Sequence, residues 1–568
     1  MVEIKKEVSS CDCLIVGGGI AGLMAAISAA DQGAKVIIAE KANTLRSGSG
    51  ATGNDHFRCY IPEVHGPSAK KFLKEFQSGS QTGSGGFYDV PLQMQWVERT
   101  FECVKSWQEW GINMQPHGGW EFAGHAMPGK QSQALKYDGG NQKEVMTQQA
   151  LKRGVKIVNH MPIVEFLSND EKQIIGAIGL DISSDEPALT LIRTKSIVSA
   201  TGGTNRLYPS VTAGWLFNVA YCPAAVGGGR AAAYRAGAKL VNLEMPYVHA
   251  GPKYFERCGK GTWIGVLSDV NSQPVGPFVT KPSREYGDIT GDLWKDVFTD
   301  KLKDGTGPVY MDCSKTSPED IEYMIENFAY EGDTSIPDIM EKQGLKFEND
   351  MVEFIKYNPI LMGRGIQIDE HAMTNVQGLF AAGDELGNFR ADVSGAAVYG
   401  RIAGENAGTY ALTAESADTL LDHPRVKELQ AFCTELMSRE EGASWKELNL
   451  AVQQILNDHC GIVNPRSESI LSAGLNYLKN VEAYGKKTIA CHNAHELMRT
   501  LETFDLALIG QLICVAALER KESRGLHKRS DYTFTNPLLE GQFITLEKGR
   551  DGEPKTAWRK RVELETAE

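Results

Sequence analysis

The chain has 568 residues, 42% of them hydrophobic and 23% charged, a globular composition with material for two to four domains. A net charge of −13 argues against a nucleic-acid partner, whose phosphates it would repel. No run of about eighteen apolar residues occurs, so no membrane span is expected, and the polar start Met1 to Glu7 does not read as a secretory leader.

The first apolar run, Cys13-Leu14-Ile15-Val16, leads into Gly17-Gly18-Gly19-Ile20-Ala21-Gly22 and an alanine-rich helix from Leu23 to Ala30. A second run, Val36 to Ala39, ends in Glu40, about twenty residues after the glycines. This strand–turn–helix–strand unit predicts a dinucleotide site. Gly17 permits the turn, Gly19 lets a diphosphate reach the backbone, and Gly22 lets helix and strand pack closely. The helix start, with Ile20 and Ala21, offers free N–H groups to the phosphates, and Glu40 offers a carboxylate to ribose hydroxyls. The small-residue loop Arg46 to Gly53 follows, with Ser47, Gly48, Thr52 and Gly53 able to approach a flat ring closely. Asn54, Asp55 and His56 come next and are candidates to face the same ring.

Residues 88–153 read as mostly helical, and residues 154–200 carry strand-like runs. The last of these ends at Ala200-Thr201-Gly202-Gly203, which returns backbone to the cofactor. Ala225 to Ala232 contains a Gly-x-Gly-x-x-Ala pattern followed by a helix and a short strand ending at Glu244. A second nucleotide site for NAD(P) is open there, although Pro223 spoils the strand that should precede it. Residues 246–360 mix Pro, Gly, aromatic and charged residues irregularly, as an inserted covering domain would. Gly378 to Ala382 reads as a strand entering the turn Gly383-Asp384, and a helix is expected to open near Ser394. Residues 423–520 carry helical periodicity, and the polar tail after about Pro537 reads as an arm or as partly ordered chain. The eleven cysteines include no Cys-x-x-Cys, which supports neither zinc nor an iron–sulfur cluster within this chain. They read as free thiols of a cytoplasmic protein, and a redox role for Cys11 and Cys13 stays open.

Taken in order, these segments resemble the flavoprotein subunits of the succinate dehydrogenase and fumarate reductase family. The distinctive run Glu522-Ser523-Arg524-Gly525-Leu526-His527-Lys528-Arg529-Ser530-Asp531-Tyr532 adds to the match, and Glu40 to Gly48 tilts it toward the adenylylsulfate reductase alpha-subunit branch. The resemblance implies an α/β architecture: a Rossmann-like FAD-binding domain in two parts (1–245 and 361–420), an inserted α+β capping domain (246–360), and a C-terminal helical domain with its tail (421–568). It implies an extended FAD, with Gly383, Asp384, Ser394, Gly395 and Ala396 along the flavin and its ribityl chain. A helix start aimed at the flavin would stabilise negative charge on it. Family members with covalent flavin carry His where this chain has Gly48, so the FAD is expected to be non-covalent.

The same resemblance implies an oxidoreductase working with an iron–sulfur partner. The dicarboxylate clamp of the family is not reproduced: His249 is followed by Ala250-Gly251-Pro252, and Ala391 to Gly395 replaces an arginine-bearing turn. A different small anionic substrate is expected, adenylylsulfate or sulfite being one version. Arg364 and Arg390 are its expected carriers, His249 or Arg257 the proton donor or electrostatic partner, and Lys253 a further cation nearby. An NAD(P)H-dependent two-nucleotide reductase and a non-catalytic flavin-binding subunit remain as alternatives.

Overall fold

The opening apolar run lies at the centre of a five-stranded parallel sheet and is buried along its whole length, as a strand covered on both faces must be. In spatial order the strands are Leu379–Ala381, Ser196–Ser199, Cys13–Val16, Val36–Ala39 and Lys156–Val158. The computed structural model describes residues 4–79, 86–126, 128–210, 216–253, 262–415 and 420–564. Helix Ile20–Asp31 leaves the glycine turn and crosses helix Asp392–Thr413 at close range. Gly400, Gly404 and Gly408 make the crossing possible. A Cβ on Gly404 would stand 2.2 Å from the Ala25 carbonyl oxygen, and one on Gly400 2.4 Å from that of Ala21. Gly404→Leu should therefore force these helices apart and lower stability by about 3 kcal/mol or more, read as a lower midpoint in urea. An unchanged midpoint would show that the crossing relaxes freely.

A second sheet, Lys5–Ser10, Ala188–Arg193, Ile174–Asp181 and Ile163–Ser168, stands beside the first and is antiparallel except for its first pair. The covering segment builds its own sheet from Ala250–Pro252, Val352–Lys356, Val309–Asp312 and Val266–Ser268. It also has its own core, with Trp263, Met311, Phe328, Phe347 and Phe354 at its centre. Four long helices follow: Pro424–Ser438, Trp445–Cys460, Glu468–Thr488 and Ala494–Glu519. The last is long and apolar enough to cross a bilayer by length and composition, which the residue pattern did not lead us to expect. Here it packs against its neighbours, with Leu506, Ile509 and Ile513 in the core and Glu502 and Asp505 among its residues.

The tail corrects the expectation of an arm. Gln542–Lys548 and Pro554–Lys560 form an antiparallel hairpin that joins Leu240–Val241 and Gly365–Ile366 in one sheet. Ile544 and Leu546 face the main core from one side of this hairpin, and Phe543 packs with Phe87, Val241 and Met245 on the other. The distinctive run before it is a buried charge lattice. Arg520 bonds Glu244 at 2.8 Å and Glu522 at 2.9 Å, and Arg466 donates to the Glu244 carbonyl and to His527 Nδ1. Arg529 caps the Ala517 carbonyl and pairs with Asp531.

Candidate active site

A cavity of about 300 Å³ runs from the glycine turn to the covering segment. At one end its wall is Gly17, Gly19, Ile20, Ala21, Glu40, Lys41, Ser47 and Gly48, together with Pro162, Ile163 and Val164. Gly17 takes φ +99°, and a Cβ on Gly22 would stand 1.8 Å from the Gly17 carbonyl oxygen. Gly19 differs: a Cβ there meets nothing within 4 Å, so this position opens into the cavity. It caps helix Ile20–Asp31 without a side-chain bond, which leaves the first helical N–H groups free for a ligand. The residues present fit a dinucleotide.

Two buried groups brace the turn. Glu40 accepts from Gly18 N at 2.6 Å and from Ala42 N at 2.7 Å, so only its remaining lone pairs can take ribose hydroxyls. Lys143 donates to the Gly18 carbonyl, as does Ser47 Oγ at 3.2 Å. Burial drives the Lys143 ammonium down to about 7, with Glu40 opposing. Its folded pKa thus lies below the ordinary lysine value, and the unfolded chain binds the extra proton between the two. Stability of the apoprotein should rise as pH climbs from about 7 toward 10, at about 1.4 kcal/mol for each unit of displacement. Lys143→Met should flatten that rise in urea titrations at several pH values, and a slope identical to wild type would refute the assignment.

Lys41 is drawn away from the ligand. It donates to the Ala224 carbonyl and to Glu502 at 2.6 Å. Burial opposes ionisation of Glu502, but Lys41, Arg206 and Arg499 outweigh it and hold the carboxyl at about 2. Ala200, Thr201 and Gly202 line the middle of the cavity. They are held by Glu385, which accepts from Thr201 N at 2.8 Å, and by Arg230, which donates to the Gly202 and Asp384 carbonyls at 2.6 Å.

Gly228 and Gly229 line the same cavity, which bears on the open alternative of a second nucleotide unit at residues 225–244. No strand lies between Ser199 and helix Gly228–Arg235 among the described residues, and Leu240–Val241 pairs antiparallel with its neighbours. The βαβ geometry that a second fingerprint requires is therefore missing.

At the far end the wall is Asn54, His56, Arg58, His125, His249, Glu331, Gly383, Asp384, Arg390, Asp392 and Ala396. The helix here begins at Asp392, with Ala391 as its cap residue, rather than at Ser394. Ser394 Oγ turns inward, accepting from Trp96 Nε1 at 3.1 Å and donating to the Ala391 carbonyl at 2.8 Å. Neither Ser394 nor Gly395 reaches the wall, whereas Val393 and Ala396 do. Thr52 and Gly53 also stand back from it. Thr52 Oγ1 donates to the Glu331 carbonyl at 2.7 Å, and Gly53 is pressed against the Tyr330 carbonyl.

Arg390 is buried between two carboxylates, 3.0 Å from Asp384 and 2.6 Å from Asp392, and its guanidinium lies 4.4 Å from the Tyr247 ring centre. Its Nη1 has no hydrogen-bond partner. Burial disfavours its charge, yet Asp392 and Tyr247 push its pKa well above the ordinary value. Burial likewise raises Asp384 despite Arg390, while Arg390 and Arg58 overcome burial at Asp392 and lower it. His249 reaches the same wall, with Nδ1 2.8 Å from the Ala250 carbonyl oxygen. Arg364 does not. It donates to the Met245 and Gly363 carbonyls and to the Tyr88 hydroxyl, beneath the Phe87 and Tyr88 rings. Lys253 sits off the cavity, paired with Glu353 at 2.8 Å. Arg257 lies outside the described residues. Arg58, His125 and Glu331 were not singled out from sequence. Strand alternation was the signal for Arg58, since His56 and Arg58 share one face and Phe57 the other.

A glycine cradle at a helix start, with an acid beside it and a cavity running from it to the 246–360 segment, has the parts of a dinucleotide-binding site. Residues 12–397 match the family model described as FAD binding domain, and residues 449–560 match that described as fumarate reductase flavoprotein C-term. The chain belongs to the fumarate reductase and succinate dehydrogenase flavoprotein family, and it is an FAD-dependent oxidoreductase. Among its relatives, a fumarate reductase (CoM/CoB) chain of Methanothermobacter marburgensis is 24% identical over 596 residues, covering 95% of this chain and 100% of the relative. The fumarate reductase flavoprotein subunit of Escherichia coli is 24% identical, covering 92% and 88%. Adenylylsulfate reductase from Archaeoglobus fulgidus shares the fold at TM-score 0.83, with 20% identity over 100% of this chain and 98% of that one. A variant of Escherichia coli quinol fumarate reductase shares it at 0.78, with 18% identity over 99% and 98%.

Proposed function

We propose that this chain is the catalytic flavoprotein of a cytoplasmic redox complex, exchanging electrons between a small anionic substrate and an iron–sulfur partner. The observation that carries the reading is Arg390, a charged side chain buried at the cavity wall with an Nη1 that nothing else engages. An anion with one planar oxygen pair would satisfy it. His249 stands on the same wall as an electrostatic partner. Arg364 stands back from the wall, bonded to the Met245 carbonyl and the Tyr88 hydroxyl, and is not assigned to the ligand.

FAD supplies two-electron chemistry when bound. The chain's part is to cradle its diphosphate at Gly17 to Gly22, exclude water beneath the covering segment, and hold the substrate. The FAD is non-covalent in this reading, since Gly48 presents no side chain to bond it. The likeness to adenylylsulfate reductase makes adenylylsulfate or sulfite with AMP the first candidates to assay, with other oxyanions and carboxylates beside them. The ten described cysteines are free, in keeping with a reducing compartment.

The test is turnover of the FAD-loaded chain with reduced viologen against adenylylsulfate and fumarate, and with ferricyanide against sulfite plus AMP. Substrate-dependent reaction with an anion is expected, together with little bleaching of the flavin by NADH alone. Rapid bleaching by NADH and no response to any anion would overturn the reading.

A further inference from the structure

His56 sits in a short strand, His56–Arg58, that pairs with Ala134–Lys136. The alternation sends Phe57 into the core against Trp107 and Tyr137 and turns His56 and Arg58 to the cavity. The rigid backbone fixes where the imidazole stands. Its Nδ1 is 2.5 Å from Asp55 Oδ1, and Asp55 is fully buried. The other Asp55 oxygen accepts from Lys136 Nζ at 2.7 Å and from Thr262 Oγ1. His125, across the cavity wall, stacks on His56 with ring centres 4.3 Å apart, and its Nε2 has no partner.

The charges around this pair are graded. Burial would raise Asp55, but Lys136 and His56 outweigh it and hold the carboxyl well below the usual range. Burial and the Asp55 charge push the neighbouring Glu331 well above the usual range. Burial, with His56 beside it, holds His125 well below the usual imidazole range. Arg58 and Asp392 complete the surroundings, 3.3 Å apart. The donor atoms of Asp55, His56 and Glu331 lie within 4.8 Å of one another, but the Lys136 ammonium already supplies the positive charge that a metal ion would bring.

We propose that His56, steered by Asp55, is the proton-transfer group of this cavity, and that the covering segment completes it by setting Thr262 and Glu331 against Asp55. The inference rests on the oxidoreductase reading of the same cavity given above. Asp55 holds Nδ1–H in one tautomer and leaves Nε2 as the working nitrogen. In the reducing direction the Nε2–H bond of the imidazolium breaks and its electron pair stays on the ring. The proton bonds to the substrate atom that receives the electron pair furnished by the family's two-electron activity. In the oxidising direction the same transfer runs backward.

The experiment compares FAD-loaded wild type, His56→Asn and a remote control, His117→Asn. The visible flavin band is titrated against pH without substrate. Wild type and control should show a one-proton change that His56→Asn lacks. With the substrate couple found above, His56→Asn should lower kcat about 100-fold or more and leave KM within about threefold. FAD content verifies folding. Thr262→Val, which keeps the imidazole, should lower kcat about tenfold with the spectral change retained. A spectral titration of His56→Asn identical to wild type overturns the proposal, whatever the substrate. Loss of the spectral change without turnover on any anion would sink the substrate reading and leave the proton-transfer assignment standing.

Discussion

Gly19→Val is expected to give a folded protein that emerges without its yellow cofactor. The reason lies in the difference between two glycines of one turn. At Gly22 a side chain would collide with the Gly17 carbonyl at 1.8 Å, so substitution there damages the turn itself. At Gly19 a Cβ meets no protein atom within 4 Å and projects into the space proposed for the diphosphate along the helix start. The valine variant should match wild-type apoprotein in urea midpoint to within about 0.5 kcal/mol. FAD affinity should fall by a factor of about 1,000 or more, because the diphosphate loses its approach to the backbone N–H groups. Equilibrium dialysis of FAD against both proteins reads this directly. Retention of FAD at wild-type stoichiometry would mean that the cradle has been misread.

The second large effect is at Arg390. Arg390→Ala removes the unengaged Nη1 that should bind the substrate, and turnover should fall about 1,000-fold while FAD remains bound. The same change leaves Asp384 without its cation and Asp392 with Arg58 alone, two half-buried carboxylates, at a cost of about 2 kcal/mol. A lost activity alone could thus reflect local collapse. Arg390→Lys separates the two effects. It keeps a cation between the carboxylates, so most stability returns, but a point charge cannot reproduce the planar fork, and turnover should stay at least about tenfold down. Full activity in Arg390→Ala would remove this residue from the site.

The nucleotide half of the molecule was legible in sequence because its constraints are local. Gly17, Gly19, Gly22 and Glu40 each do their work within one βαβ unit, and the spacing alone fixes their relation. The roof was legible only as an irregular insertion. The substrate end was read poorly for a physical reason: its members come from distant segments and meet only in the fold. Arg364 and Arg390 are near neighbours in sequence and both flank flavin-side turns. Only packing separates them, one under Tyr88 and the other at the wall. His125 has no periodic signal, since it reaches the wall from an irregular segment at φ +53°. Lys41 and Thr52 sit in the expected stretches, yet Glu502 and the Glu331 carbonyl claim their side chains. The glycine-rich start at Gly227 stayed open because helix starts look alike in sequence. Only the strand pairing around it distinguishes a second fingerprint from a wall of the first cavity.

Every step of the mechanism requires FAD in this cavity, its diphosphate on the Gly17 to Gly22 turn, held without a covalent bond. The visible spectrum of the purified chain, taken before and after acid precipitation, decides the matter. The native protein should show the two visible bands of an oxidised flavin, and all of that colour should pass to the supernatant once the chain is denatured. Protein that stays colourless after incubation with excess FAD, or colour that precipitates with the chain, would contradict it.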